Sequence, residues 1–246
     1  LCPGYIAKGE ESATANDMTA MTGYEPIKFV STAAHSGASK GTSDWPLFRT
    51  AEVYLNYAEA KAELGTLTKD DLLISIDRIR DRAGMKGLDM AAANANPDPF
   101  LLACYPNVTK SENTGVILEI RRERTIELVM EGLRMWDMFR WKEGAQLVNE
   151  TNPYYGIYFS EPGLYDMDGD GSGDVCFVRE NPPVTEPGVT YRVLGGDYAL
   201  TDGDSGYIEC YIRMTRKWDD KKYVRPIPTT ALNDNPALGQ NYGWEK

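Results

Sequence analysis

Residues 116–141, VILEIRRERTIELVMEGLRMWDMFRW, constrain the fold more than any other stretch of the chain. Apolar residues recur there at steps of three and four, so the spacing predicts one helix over 116–141. From Arg124 the same step visits Glu127, Glu131, Arg134 and Asp137, which a continuous helix would hold in one row. A second line, Ile126, Val129, Leu133 and Trp136, is apolar, and Leu128, Met130, Met135, Met138 and Phe139 widen it. Little of such a helix is left for water, so the charged row is expected to be at least partly buried. Buried charges persist only when paired and hydrogen-bonded, and an Arg–Glu ladder can fix the register of packed helices. The row therefore reads as scaffold. The competing reading takes Glu127 and Glu131 as paired carboxylates for acid–base catalysis, which needs one of them perturbed and both facing a cleft.

Two more helices precede it. In PLFRTAEVYLNYAEAKAELG, Phe48, Ala51, Leu55, Ala58 and Ala62 follow helical spacing after a proline and before Gly65, predicting a helix over 46–64. Thr68 and Asp71 resemble a capping box, and Leu72, Leu73, Ile76 and Ile79 form the stripe of a helix over 68–83. The short loop between them predicts an antiparallel αα-hairpin. Residues 1–45 read mostly as loop, and residues 85–114 as a long connection with about one helical turn. Residues 143–246 hold most of the prolines and many glycines and tyrosines, with strand candidates at DVCFV and YIECYIRM. The expected fold is mainly α, a single domain of packed helices wrapped by long irregular loops with a small β-hairpin.

Composition narrows function by exclusion. A net charge of −11 opposes nucleic-acid backbones and anionic bilayers. No apolar run is long enough to span a bilayer. Cys2, Cys104, Cys176 and Cys210 are too widely spaced for a metal or redox pair. The sole histidine, His35, lies in a Gly/Ser/Ala/Thr-rich loop, and no GxSxG, HExxH, Walker or GxGxxG pattern stands in a suitable context. The chain is therefore not expected to be an enzyme.

One loop does suggest a ligand. In DMDGDGSGD, Asp166, Asp168 and Asp170 alternate, Gly171 permits a sharp turn, and Asp174 falls at the ninth position. Alternating carboxylates in a Gly-rich loop can wrap a hard cation, so a structural Ca²⁺ is expected here, with Ser172 contributing through its carbonyl or a water. Phe177 stands where an EF-hand would place its bidentate Glu, so a complete EF-hand is not expected.

The motifs ILEIRRERTIELVMEGLRMWDMFRW, RTAEVYLNYAEAKAELG, IDRIRDRAGM and YVRPIPTTALNDNPALGQNYGW, in that order, resemble the SusD/RagB family of outer-membrane nutrient-binding lipoproteins. The likeness runs from TGYEPIKF through the last residues and covers the C-terminal half of the family pattern. The family's lipidated N-terminal cysteine and its tetratricopeptide-like helical half would lie before Leu1, and Cys2 falls at a mid-protein position. The resemblance implies a SusD-like α/α scaffold in a surface-exposed protein of the cell outer membrane, held there through a lipid anchor outside this chain. It implies a protein that captures oligosaccharides for a SusC-like TonB-dependent transporter. A RagB-like peptide binder is the alternative, and a glycoside hydrolase a more distant one. Sugar rings stack their CH faces on aromatic rings, which marks Trp45, Tyr154, Tyr155, Tyr158, Tyr165 and Trp218 as candidate ligand contacts, with NPYYGIYF the densest cluster.

Overall fold

The computed structural model describes Thr22, Tyr24, Lys28 and residues 46–148, 154–167, 169–195, 198–209 and 215–245. The chain divides into two compact units, one of Pro46–Asn152 with Arg216–Lys246 and one of Leu1–Trp45 with Pro153–Thr215.

The first unit is helical. Helix α1 (Thr50–Glu63) buries Ala51, Leu55, Ala58 and Ala62, the predicted stripe, although Phe48 before it is 89% exposed. Small residues on that face let α6 (Thr114–Glu127) pack closely across it, with Val116, Ile117 and Ile120 in the shared core. The predicted capping box starts α2 (Lys69–Leu73): Asp71 N donates to the Thr68 hydroxyl while the Asp71 carboxylate accepts from Thr68 N. The helix expected over 68–83 then breaks, because Ser75 leaves helical geometry and donates its hydroxyl to the Asp71 carbonyl. It resumes as α3 (Ile76–Arg82), burying Ile76 and Ile79. The connection over 85–114 is more regular than expected and holds α4 (Met90–Ala95) and α5 (Pro99–Cys104), capped by Asp89 and Asp98.

The helix expected over 116–141 is two helices. After α6 the chain turns through Met130 at φ 64° and Gly132 at φ 78° before α7 (Arg134–Trp141) begins. Two left-handed residues end a right-handed helix, and glycine adopts that region without steric penalty. The single charged row therefore does not form. The apolar line also parts, since Ile126, Val129 and Trp136 are 64%, 43% and 54% exposed. Helices α8 (Gly144–Val148) and α9 (Thr229–Asp234) complete the set of described α-helices in this unit.

The second unit carries more strand than one hairpin. Strands β1 (Tyr155–Phe159), β6 (Gly206–Glu209) and β5 (Ala199–Leu200) form an antiparallel sheet in the order β1-β6-β5. Strands β2 (Leu164–Tyr165), β3 (Val175–Val178) and β4 (Thr190–Val193) form another, antiparallel between β2 and β3 and parallel between β3 and β4. Phe159, Val175, Phe177, Leu200 and Ile208 make a small core, each on the inward face of its strand. Both predicted strand segments are present, DVCFV as β3 and the start of YIECYIRM in β6, while residues 210–214 lie outside the described residues.

Candidate ligand-binding surface

The two glutamates that competed for a catalytic reading meet in one ion-pair cluster of the helical unit. Arg49 donates Nε and Nη2 to the two oxygens of Glu131 at 2.9 and 2.6 Å, and Nη1 to Glu127 Oε1 at 2.9 Å. Arg82 Nη2 takes the other Glu127 oxygen at 2.6 Å. The hydrogen bonds to Glu131, and then those to Glu127, outweigh burial and hold the Arg49 guanidinium above its ordinary pKa. All four carboxylate oxygens are thus occupied by guanidinium donors, the arrangement of a brace.

Further ion pairs tie the helices together. Arg124 Nε donates to Asp137 Oδ2 at 2.7 Å, with both side chains buried, and Arg124 Nη1 donates to Asn56 Oδ1 at 2.6 Å. Glu59 accepts from Arg140 and from Trp141 Nε1. Burial works against ionisation of Glu59, but Arg140 and Trp141 outweigh it and its pKa ends below the usual carboxylate value. Glu143 is fully buried and accepts from Asn107 N at 2.8 Å; there burial wins and its pKa is raised.

The aromatic candidates separate clearly. Trp45 lies outside the described residues. Trp218 is 8% exposed and packs in the helical unit against Phe139 and Tyr223, with ring centroids 5.9 and 5.0 Å away. Tyr165 stacks edge-on against Phe159 at 4.7 Å and donates its hydroxyl to the Glu161 carbonyl, so it belongs to the small core of the strand unit. Neither offers a free ring face.

Tyr155 and Tyr158 do. Three residues apart, they would point to opposite sides of a regular strand. The register of β1 against β6 shifts between them, pairing Tyr155 with Glu209 and Tyr158 with Tyr207. This irregularity changes the parity and turns both rings to the outer face. There Tyr207 lies 5.9 Å from Tyr155, nearly parallel, and 5.3 Å from Tyr158, edge-on. The three rings are 50%, 54% and 49% exposed, and Tyr154 beside them is 40% exposed. Glu209, opposite Tyr155 in the ladder, lies on the same face and adds a hydrogen-bond acceptor. Tyr207 was missed in sequence, although its alternation with Gly206 and Ile208 marks an outward position.

The acidic loop is engaged with its own backbone. Asp166 accepts from Gly169 N at 2.6 Å and Gly171 N at 2.8 Å, Asp170 accepts from Ser172 N, and the buried Asp174 accepts from Met167 N. Asp168 lies outside the described residues, and among the described residues no three metal-ligating side chains converge. No described helix is long and apolar enough to cross a membrane.

Comparison with known proteins agrees with this architecture. No curated protein matches the chain. A SusD-like protein from Bacteroides fragilis NCTC 9343 aligns with a TM-score of 0.45 and 22% identity over 81% of this chain and 26% of its own. The solved protein BT4246 aligns with a TM-score of 0.50 and 23% identity over 85% of this chain and 25% of its own, a likeness of fold. This chain thus spans about a quarter of the length of either. The model of the SusD family matches residues 4–244, nearly the whole sequence, and the chain belongs to the SusD family.

Proposed function

We propose that this chain is part of a nutrient-binding protein of the outer-membrane surface, and that the face formed by Tyr155, Tyr158 and Tyr207 contacts an oligosaccharide. Family membership supports the nutrient-binding reading. The observation that carries the ligand class is the face itself: three half-exposed rings, Tyr155 nearly parallel to Tyr207 and Tyr158 edge-on to it, with Glu209 paired opposite Tyr155 on the same face. Parallel and edge-on rings present a curved apolar surface to sugar CH groups, while a carboxylate at the edge takes a hydroxyl. Capture here would precede transfer to a SusC-like TonB-dependent transporter, with membrane attachment of the whole protein through a lipid anchor. Hydrolysis is not part of the reading, since Glu127 and Glu131 are consumed by Arg49 and Arg82. The test is a polysaccharide panel titrated against the wild type and against Tyr158→Ala and Tyr207→Ala. The reading expects one glycan class whose affinity falls about tenfold in either variant and changes little with salt. Binding unaffected by both substitutions would move the ligand elsewhere.

A structural Ca²⁺ in the Asp166–Asp174 loop belongs to the same reading and rests on the DxDxDG spacing. A carboxylate oxygen that accepts one N–H keeps a lone pair for a cation, so the turn described here is compatible with such an ion. A melting temperature unchanged by chelation, with no calcium bound after dialysis, would remove the ion from the proposal.

A further inference from the structure

A cavity of about 610 Å³ in the helical unit, bordered by α5, α6 and α7, differs in chemistry from the tyrosine face. Phe100, Leu101 and Ile126 supply apolar walls, and Phe100 and Ile126 are 69% and 64% exposed, so the cavity opens to water. Its polar part is built on Arg134. Arg134 Nη1 donates to Thr125 Oγ1 at 2.9 Å and Nη2 donates to Tyr105 OH at 3.2 Å. Both acceptors are neutral, and the Thr125 hydroxyl is itself committed to the Arg121 carbonyl at 2.7 Å.

The neighbouring arginines are all matched to acids. Arg121 lies near Glu63 and Glu143, Arg122 pairs with Asp98, Arg124 with Asp137, and Arg140 with Glu59. Among the described residues Arg134 is the one arginine of α6 and α7 with no carboxylate within ion-pair distance. The Arg134 Cζ lies 5.8 and 5.9 Å from the Tyr105 and Trp141 ring centroids, and with only rings and neutral hydroxyls beside it the guanidinium keeps its full positive charge for a ligand. Guanidinium carries five N–H donors, and the two hydroxyls engage two of them, which leaves a donor edge for a second acceptor group.

We propose that this cavity binds an organic monocarboxylate with an apolar body, the carboxylate pairing with Arg134 and the body lying against Phe100, Leu101 and Ile126. A phosphate or sulfate dianion is disfavoured because Asp98 also borders the cavity and already occupies Arg122. A uronic acid is disfavoured because a ring bearing hydroxyls on several sides would turn some of them toward the apolar walls of Phe100, Leu101 and Ile126. The site lies in the helical unit and stands apart from the reading of the tyrosine face, so neither depends on the other.

The probe pair is phenylacetate and its neutral amide, phenylacetamide, titrated by calorimetry against the wild type, with glucuronate and inorganic phosphate as controls. Phenylacetate is expected to bind about tenfold or more tightly than phenylacetamide, the worth of one charge-assisted contact. Arg134→Gln should abolish the preference. Should that variant fail to fold, Ile126→Asp supplies the same answer at an exposed position: it removes one apolar contact from both ligands but adds a repulsive charge toward only one, so phenylacetate should weaken about tenfold more than phenylacetamide. Equal binding of acid and amide, insensitivity to Ile126→Asp, no binding of phenylacetate, or tighter binding of glucuronate or phosphate would each overturn the proposal.

Discussion

Arg124 and Asp137 meet at 2.7 Å across the turn that divides α6 from α7, with both side chains buried. A continuous helix over 116–141 would hold these two residues between three and four turns, about 20 Å, apart along one axis. The turn brings them face to face.

Breaking that pair should cost more than any surface change. Asp137→Asn leaves a buried guanidinium with Asn56 as its remaining neutral partner, and it is expected to destabilise the protein by about 3 kcal/mol. Replacing both residues with apolar ones of similar size, Arg124→Met with Asp137→Leu, should recover much of the loss. Denaturant unfolding of the single and double variants gives the comparison; a double variant less stable than Asp137→Asn would contradict it.

The turn itself carries a second prediction. Met130 holds φ 64° while its side chain is 56% exposed, so it meets the steric penalty of the left-handed region with little packing in return. Met130→Gly should therefore raise stability by about 0.5–1 kcal/mol, net of the entropy that glycine adds to the unfolded chain. Thermal or denaturant midpoints decide the sign.

Glu143 gives the pH dependence. Burial raises its folded pKa above the ordinary carboxylate value, against the smaller opposing effects of Asn107 and Arg121. The folded state then holds the proton more tightly than the unfolded chain, so this group stabilises below the unfolded pKa and the contribution is lost as pH rises through the folded one. Relative to Glu143→Gln, the wild type should gain stability as pH falls from neutral toward 4.5. Melting temperatures of both proteins along that series should diverge; parallel curves would mean that Glu143 titrates normally.

Gly156 links fold to ligand. A Cβ there would come within 2.3 Å of the Thr22 carbonyl oxygen, which also accepts from Ile157 N at 2.9 Å. Gly156→Ala must push Thr22 away or shift β1, at a cost of about 2 kcal/mol. Because Tyr155 sits next to it, glycan affinity should fall along with stability, whereas Asp137→Asn should leave the affinity of the still-folded fraction unchanged. Separate titrations of the two variants distinguish local damage at the ring face from general loss of fold.

Much of this was open to reading in the residues themselves. The buried stripe of α1, the Thr68–Asp71 capping box and strand β3 follow from spacing, because a helix turn and a strand pleat are local repeats that each side chain either obeys or breaks. The pairing of the charges was also foreseeable, since buried ions cannot stay alone. Their partners were not. Glu127 and Glu131 are neutralised chiefly by Arg49, which lies 78 and 82 residues earlier, a distance over which no local period carries information. The turn at Met130 and Gly132 left only a glycine as its trace, too weak to outweigh the apolar periodicity on either side.

The sequence by itself determined which segments coil, which residues are too apolar or too charged to stand in water unpaired, and the family whose motifs the chain carries. Tertiary structure alone decided the rest: that Arg124 meets Asp137, that Trp218 and Tyr165 spend their rings on packing, and that a slipped register turns Tyr155 and Tyr158 toward Tyr207. The physical reason is the range of the interactions, since backbone periodicity acts over a few residues while side-chain partners are chosen by whichever distant surfaces the whole fold brings within hydrogen-bond or van der Waals reach.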